Sequence, residues 1–263
     1  MAEHERTPAG VDPSRPNSAR VFDYLLGGKD NYEVDQRVAH RMLAVAPDTR
    51  TLAWFSRQFL LGGVRHAAEA GVRQFLDLGS GLPTSPNVHE TAREYDAAIP
   101  VVAVDNDPVV LVHSNAILTG VTGVTALLGD VRDVDDIVER VRAQRLLDFD
   151  RPIGVLLVGV LHFVMDDEYP AEIVRRLRAA LAPGSYVVFT HGATESSQEF
   201  RERSQNDTDG SPAQVAYRSV AQVRALFDGY ELLEPGVVPI QEWLGDDLPE
   251  TKLILLGGIA AVR

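Results

Sequence analysis

No cysteine occurs among the 263 residues of the chain. Disulfides, thiolate zinc sites and a cysteine nucleophile are therefore excluded, and the redox compartment is not encoded. Positive charge is also scarce: 25 Lys and Arg stand against 38 Asp and Glu, for a formal net charge of −13. Affinity for a nucleic-acid backbone comes from cations that neutralise phosphates, so a DNA or RNA partner is not expected. Long apolar runs are missing too. Runs such as Val155–Leu161 are far below the roughly 20 residues a bilayer crossing needs. The opening stretch, Met1 to Arg20, is polar and lacks the apolar core of a secretory signal. These absences lead to the expectation of a cytoplasmic protein with no membrane association.

What is present is the balance of a globular protein, 45% hydrophobic and 24% charged. Residues 1–16 read as a flexible leader and residues 17–71 as a helical extension. In the extension, Asn17 or Ser18 caps a helix whose Val21, Phe22, Leu25 and Leu26 share a face, and Gly27-Gly28 ends it. A second helix carries Val34, Val38 and Met42 up to Pro47, and a third runs from about Thr51 to Ala70 with Gly71 as its cap. From residue 72 to 263, short apolar runs alternate with amphipathic stretches, the pattern of an α/β domain with a parallel sheet. Strands are expected near 73–78, 100–105, 124–129, 153–160, 185–190, 230–238 and 253–262. Helices are expected near 86–98, 108–119, 133–145 and 168–182, with Pro86 and Pro108 in first turns behind Ser85 and Asp107. The polar stretch Gln205–Pro212 reads as a loop interrupting a helical region that resumes from Val215 to Phe227.

The densest signal is Phe75-Leu-Asp-Leu-Gly-Ser-Gly-Leu-Pro-Thr84. An apolar strand runs into Asp77 and then into Gly79 and Gly81, which lack a Cβ and let a ligand approach the main chain. The dinucleotide fingerprint would need a glycine where Thr84 stands. An acid two residues before the first glycine instead suits an S-adenosylmethionine loop, although its third glycine is replaced by Pro83. Asp105 ends the next strand, placed to accept ribose hydroxyls, with Asn106 beside it. Asp107 competes for that role but reads better as a helix cap before Pro108. At the third strand end, Asp130 can accept an adenine amino group while the Val131 N–H reaches a ring nitrogen; the alternative for Asp130 is a cap alone.

Together with the blocks Ser18–Tyr32 and Val155–Phe163, these strand ends resemble class I S-adenosylmethionine-dependent methyltransferases, and within them an actinobacterial family of predicted S-adenosyl methyltransferases. The resemblance covers nearly the whole chain from about residue 12. It implies a Rossmann-like fold with helices on both faces of a seven-stranded sheet, ordered 3-2-1-4-5-7-6, the last strand antiparallel. It also implies S-adenosyl-L-methionine as cofactor, held by Asp77, Gly79, Gly81, Pro83, Asp105, Asn106, Asp130 and Val131. The acceptor is expected to be a small molecule; its identity and the oligomeric state are not encoded.

Gly27–Tyr32 reads either as a plain turn or as a lid over the cofactor, with Tyr24, Lys29, Asn31 and Tyr32 turned inward. His162 follows the fourth strand and His191 the fifth, so either can border the acceptor or serve as a structural histidine. His162 is the stronger candidate for accepting a proton from the nucleophile. His162, Asp166, Asp167 and His191 have no spacing that compels a metal site. The Asp/Asn-Pro-Pro-Tyr motif of amino-directed DNA methyltransferases is absent where Leu161-His-Phe163 stands. Three other readings fit less well: a non-catalytic binder of S-adenosylmethionine or S-adenosylhomocysteine, a nicotinamide oxidoreductase, and an inactive scaffold.

Overall fold

The computed structural model describes residues 14–118, 120–208, 214–245 and 248–263; most of the expected leader and part of the expected 205–212 loop lie outside them. Within them, Phe75–Leu78 (β1), Val101–Asp105 (β2), Val124–Leu128 (β3), Gly154–Leu157 (β4) and Tyr186–Gly192 (β5) pair in parallel. β1 and β4 are buried along their whole length, as expected for strands covered on both faces. β8, Leu255–Ala261, runs antiparallel to β5, with Tyr186 opposite Ala261. With Glu231–Leu232 as β6 and Val238–Pro239 as β7, the sheet order is β3-β2-β1-β4-β5-β8-β6, with β7 also paired to β8.

This is the expected α/β topology with one strand divided. The segment read as a single strand over 230–238 forms two short ones, β6 and β7, each on the free edge of β8. Between them Pro235 has no N–H to donate and Gly236 takes a φ of 94°, so the ladder breaks there.

The N-terminal helices are Ser18–Leu25 (α1), Glu33–Val45 (α2) and Thr49–Glu69 (α3). α3 covers one face of the sheet: Phe55, Phe59 and Val64 share a core with Phe75, Leu156, Val188 and Ile259. It thus belongs to the sheet's own core, and α1 with α2 forms the outer layer. Val88–Ala92 (α4) and Pro108–Leu118 (α5) follow β1 and β2. Val134–Ala143 (α6), Pro170–Ala180 (α7) and Val220–Leu226 (α9) cover the opposite face through residues such as Ile137, Val174 and Val223. Gln198–Thr208 (α8) packs against α2, and Ile240–Leu244 (α10) against α3.

Several boundaries differ from the sequence reading. α4 begins after Asn87, whose N–H donates to Glu90 at 2.6 Å, so Pro86 lies before the helix and Ser85 is not its cap. Gln205 to Thr208 continue α8 instead of forming a loop, and the next helix starts at Val220 behind Ser219 rather than at Val215. β4 stops at Leu157, because Gly159 turns the chain with a φ of 76°.

Candidate active site

The carboxyl ends of the parallel strands open into a cavity of about 260 Å³, roofed by α1 and α2. Open α/β sheets bind ligands at this edge because the strand-to-helix loops there converge. Asp77 reaches it from β1. The turn that follows is fastened to β2, with the N–H groups of Gly79 and Ser80 both donating to the Val104 carbonyl, at 2.7 and 3.0 Å. Gly79 has a φ of 72°, and a Cβ there would sit 2.3 Å from Val160 Cγ2. The turn therefore closes against the segment after β4 only with glycine at this position.

Asp105 ends β2 and accepts from the Gly81 N–H at 2.8 Å and from the Asp107 N–H at 3.0 Å. Asp107 accepts from Val109 N–H at 2.8 Å and so caps α5, as its spacing before Pro108 suggests. At the tip of β3, Asp130 caps the turn into α6 and pairs with Arg132 at 2.8 Å. The Arg132 guanidinium also meets Glu168 at 2.6 Å and donates to the Phe163 carbonyl at 3.0 Å. Asn106 donates to Asp130 across 3.4 Å.

Electrostatics set Asp77 apart. Burial pushes its carboxyl up to about 7, opposed by the charge of Arg57 and reinforced by that of Asp105. Burial likewise raises Asp105 to about 6, against hydrogen bonds from Asp107 and Gly81 that lower it. Arg57 comes from α3 and donates to the carbonyls of Thr84 and Pro86, at 2.6 Å for the latter. Among the described residues the cavity lining carries four carboxylates, Asp23, Asp77, Asp105 and Asp130, against two guanidinium groups, Arg57 and Arg132.

On the β4 side His162 lines the cavity, and its Nδ1 is buried without a hydrogen-bond partner. Burial, reinforced by the neighbouring His191 ring and by the charge of Arg218, pushes its imidazole down to about 3, so it stays neutral. His191 is fully buried and does not line the cavity. Its Nε2 takes a bond from Arg218 at 2.7 Å, and its Nδ1 lies 2.9 Å from the Gly192 carbonyl. Arg218 also binds Asp166 at 2.5 Å and the Val164 carbonyl at 3.0 Å. A guanidinium therefore stands where a metal between His191 and Asp166 would have to be, and among the described residues no group of metal-ligating side chains is placed to hold one.

The structure thus brings Asp77, Gly79, Gly81, Asp105, Asn106, Asp130, Val131 and His162 to one cavity. It does not bring Pro83, which gives way to its neighbours Leu82 and Thr84. Nor do Tyr24, Lys29, Asn31 and Tyr32 line the cavity. Tyr24 bonds His40 at 2.6 Å, Tyr32 lies under the Arg20 guanidinium at 4.9 Å, and Asn31 donates to Asp23 at 2.7 Å; Lys29 is exposed. The roof is the face of α1 itself, with Ala19, Phe22, Asp23 and Leu26 inward. The Gly27–Tyr32 turn folds around Asp23, whose Oδ1 would lie 1.9 Å from a Cβ on Gly28.

Four residues escaped the sequence reading: Arg20, Asp23, Arg57 and Arg218. Arg20 is 3% exposed and lies 3.6 Å from both Asp35 and Asp107, which ties the outer layer to the turn after β2. Asp23, inside the block Ser18–Tyr32, carried the one available signal.

A family model described as S-adenosyl methyltransferase matches residues 4–263. The chain belongs to this family. A DUF574 family protein from Streptomyces avermitilis is 32% identical, with 96% of this chain and 99% of that one covered and a TM-score of 0.90. A provisionally named methyltransferase from Thermobifida fusca is 36% identical over 98% of this chain and 99% of that one, with a TM-score of 0.89. The mitomycin 7-O-methyltransferase MmcR, at 15% identity, a TM-score of 0.51 and 96% and 74% coverage, shares the fold. Curated proteins give no match. As a member of the S-adenosyl methyltransferase family, the chain is an S-adenosylmethionine-dependent methyltransferase whose acceptor is unidentified. No helix among the described residues is long and apolar enough to cross a membrane.

Proposed function

We propose that the strand-tip cavity holds S-adenosyl-L-methionine and a small organic acceptor side by side. One observation carries this reading: Asp77, Asp105 and Asp130, from three successive strands, line one cavity. The residues suit the cofactor, a cation at sulfur and at its amino group. Asp77 is a buried carboxyl raised to about 7, and a cation beside it offsets the cost of its burial. The glycine turn leaves main chain open to a ligand, and the Asp105 carboxylate can accept a vicinal diol. Asp130 and the Val131 N–H provide an acceptor and donor pair for a purine edge.

When bound, S-adenosylmethionine supplies an electrophilic methyl group. The chain's own part is alignment and exclusion of water. Asp77, with Arg57 beside it, fixes the amino-acid end, and α1 closes the cavity from above. His162 acts as a hydrogen-bond acceptor that points the nucleophile. Its depressed basicity suits orienting a hydrogen better than storing a proton, and that proton leaves to solvent.

Calorimetry with S-adenosylmethionine, S-adenosylhomocysteine and NAD tests the cofactor, with the first two expected to bind and NAD not. For His162, glutamine retains an acceptor and leucine removes it. Once an acceptor is found, His162→Gln should keep most methyl transfer and His162→Leu should lose about tenfold or more. Equal loss in both variants removes the orienting role.

A further inference from the structure

Beyond the cofactor-facing tips, the cavity continues between α2 and α8, where its chemistry changes. This far end is walled by Val38 and Met42 from α2, Phe200 from α8, and Leu255 from β8, with Val215 and Tyr217 closing the side. The wall is structurally tied to the site. The Ala216 N–H donates to the His162 carbonyl at 2.7 Å, and the Arg218 N–H to the Gly192 carbonyl at 3.0 Å. The Tyr217 hydroxyl is hydrogen-bonded to Ser204, and burial pushes its pKa up, making it a weaker acid.

Charge is confined to the other end. Among the described residues no lysine lines the cavity, and its two arginines belong to the strand-tip end. Arg57 donates through one terminal nitrogen to the carbonyls after the glycine turn, its Nε having no hydrogen-bond partner, and its charge acts on Asp77; Arg132 is bound to Asp130, Glu168 and Phe163. The Asp23 carboxylate folds back on its own turn, accepting from Asp30 N–H at 3.0 Å and Asn31 Nδ2 at 2.7 Å. A carboxylate, sulfate or phosphate on the acceptor body would thus enter an apolar space whose walls carry no cation, at a heavy desolvation cost. An apolar body gains from the same walls.

We infer that the methyl acceptor is an uncharged, predominantly apolar molecule, seated between α2 and α8 with its single hydrogen-bearing nucleophile turned toward His162. This rests on the methyltransferase reading and narrows the substrate class of that site.

The test uses matched pairs that differ in charge: 2-naphthol against 2-naphthoate, and 1-decanol against decanoate. Each is titrated into the full-length protein saturated with S-adenosylhomocysteine. The uncharged member of at least one pair should bind at least tenfold more tightly than its anion. Val215→Lys should reduce that ratio at least tenfold, and Leu255→Gln should weaken the uncharged probe; both should leave S-adenosylhomocysteine affinity within twofold. Either anion binding as tightly as its uncharged partner, or S-adenosylhomocysteine binding while no uncharged probe does, overturns the inference and leaves the cofactor reading standing. Failure of S-adenosylhomocysteine to bind overturns the cofactor reading and the inference with it.

Discussion

Arg218 donates to His191 Nε2 across 2.7 Å. A guanidinium has donors only, so Nε2 must accept and Nδ1 must carry the proton that reaches the Gly192 carbonyl. The ring is held neutral in one tautomer, and burial pushes it down to about 4. His191 is a strut between β5 and the segment carrying His162.

Replacing Arg218 with methionine should therefore act on stability before chemistry. The loss of bonds to Asp166, Val164 and His191 should cost about 3 kcal/mol, read as a lower denaturant midpoint with an unchanged slope. A change below about 0.5 kcal/mol would show that the guanidinium is not what secures the segment after β4.

Asp77 and Asp105, raised to about 7 and about 6, predict two opposite pH dependences. Both carboxyls bind protons more tightly folded than unfolded, so the ligand-free protein should lose stability as pH rises from about 4 to about 7. Binding a cation favours the ionised form, so S-adenosylmethionine affinity should rise over the same window and level off above it. Calorimetry in two buffers of different ionisation enthalpy should detect proton release at pH 6. In Asp77→Asn, affinity should fall about 10–100-fold and much of its pH dependence should vanish.

The two glycines of the turn should not be equivalent. Both have positive φ, 72° at Gly79 and 65° at Gly81, but only at Gly79 does a Cβ meet Val160; at Gly81 nothing lies within 4 Å. Gly81→Ala should cost about 1–2 kcal/mol of backbone strain, and Gly79→Ala about 1–3 kcal/mol more for the clash. Adding Val160→Ala should return part of the second cost, measurable by chemical denaturation as a double-mutant cycle.

Arg20→Met should loosen the outer helical layer. It leaves Asp35 and Asp107 buried without their shared cation, a loss of about 3 kcal/mol. Hydrogen exchange in α1 and α2 should accelerate while β1 and β4 stay protected. Adding Asp35→Asn should recover part of the stability, because it removes one uncompensated charge.

The strand tips were legible in the sequence because three acids each terminate an apolar run, and a strand end is where a charged group first meets the sheet's open edge. The parallel order followed from the same alternation. The arginines were not legible: Arg20, Arg57 and Arg218 act on partners between 15 and 87 positions away, and local pattern contains nothing of that. The polar stretch Gln205–Pro212 looked like a loop by composition, yet Gln205 to Thr208 continue the α8 helix, because polar residues carry only a weak propensity against a helix already begun. The Gly27–Tyr32 turn looked functional through its rich side chains, yet Asn31 is spent on Asp23, Tyr32 lies under the Arg20 guanidinium and Lys29 is exposed.

Because Arg20 clamps α1 and α2 to the turn beyond β2, the roof of the cavity and the strand tips beneath it are mechanically one piece although they arise from distant stretches of chain. A substitution in the early helices is therefore felt at the sheet edge, and the two regions are bound to change together.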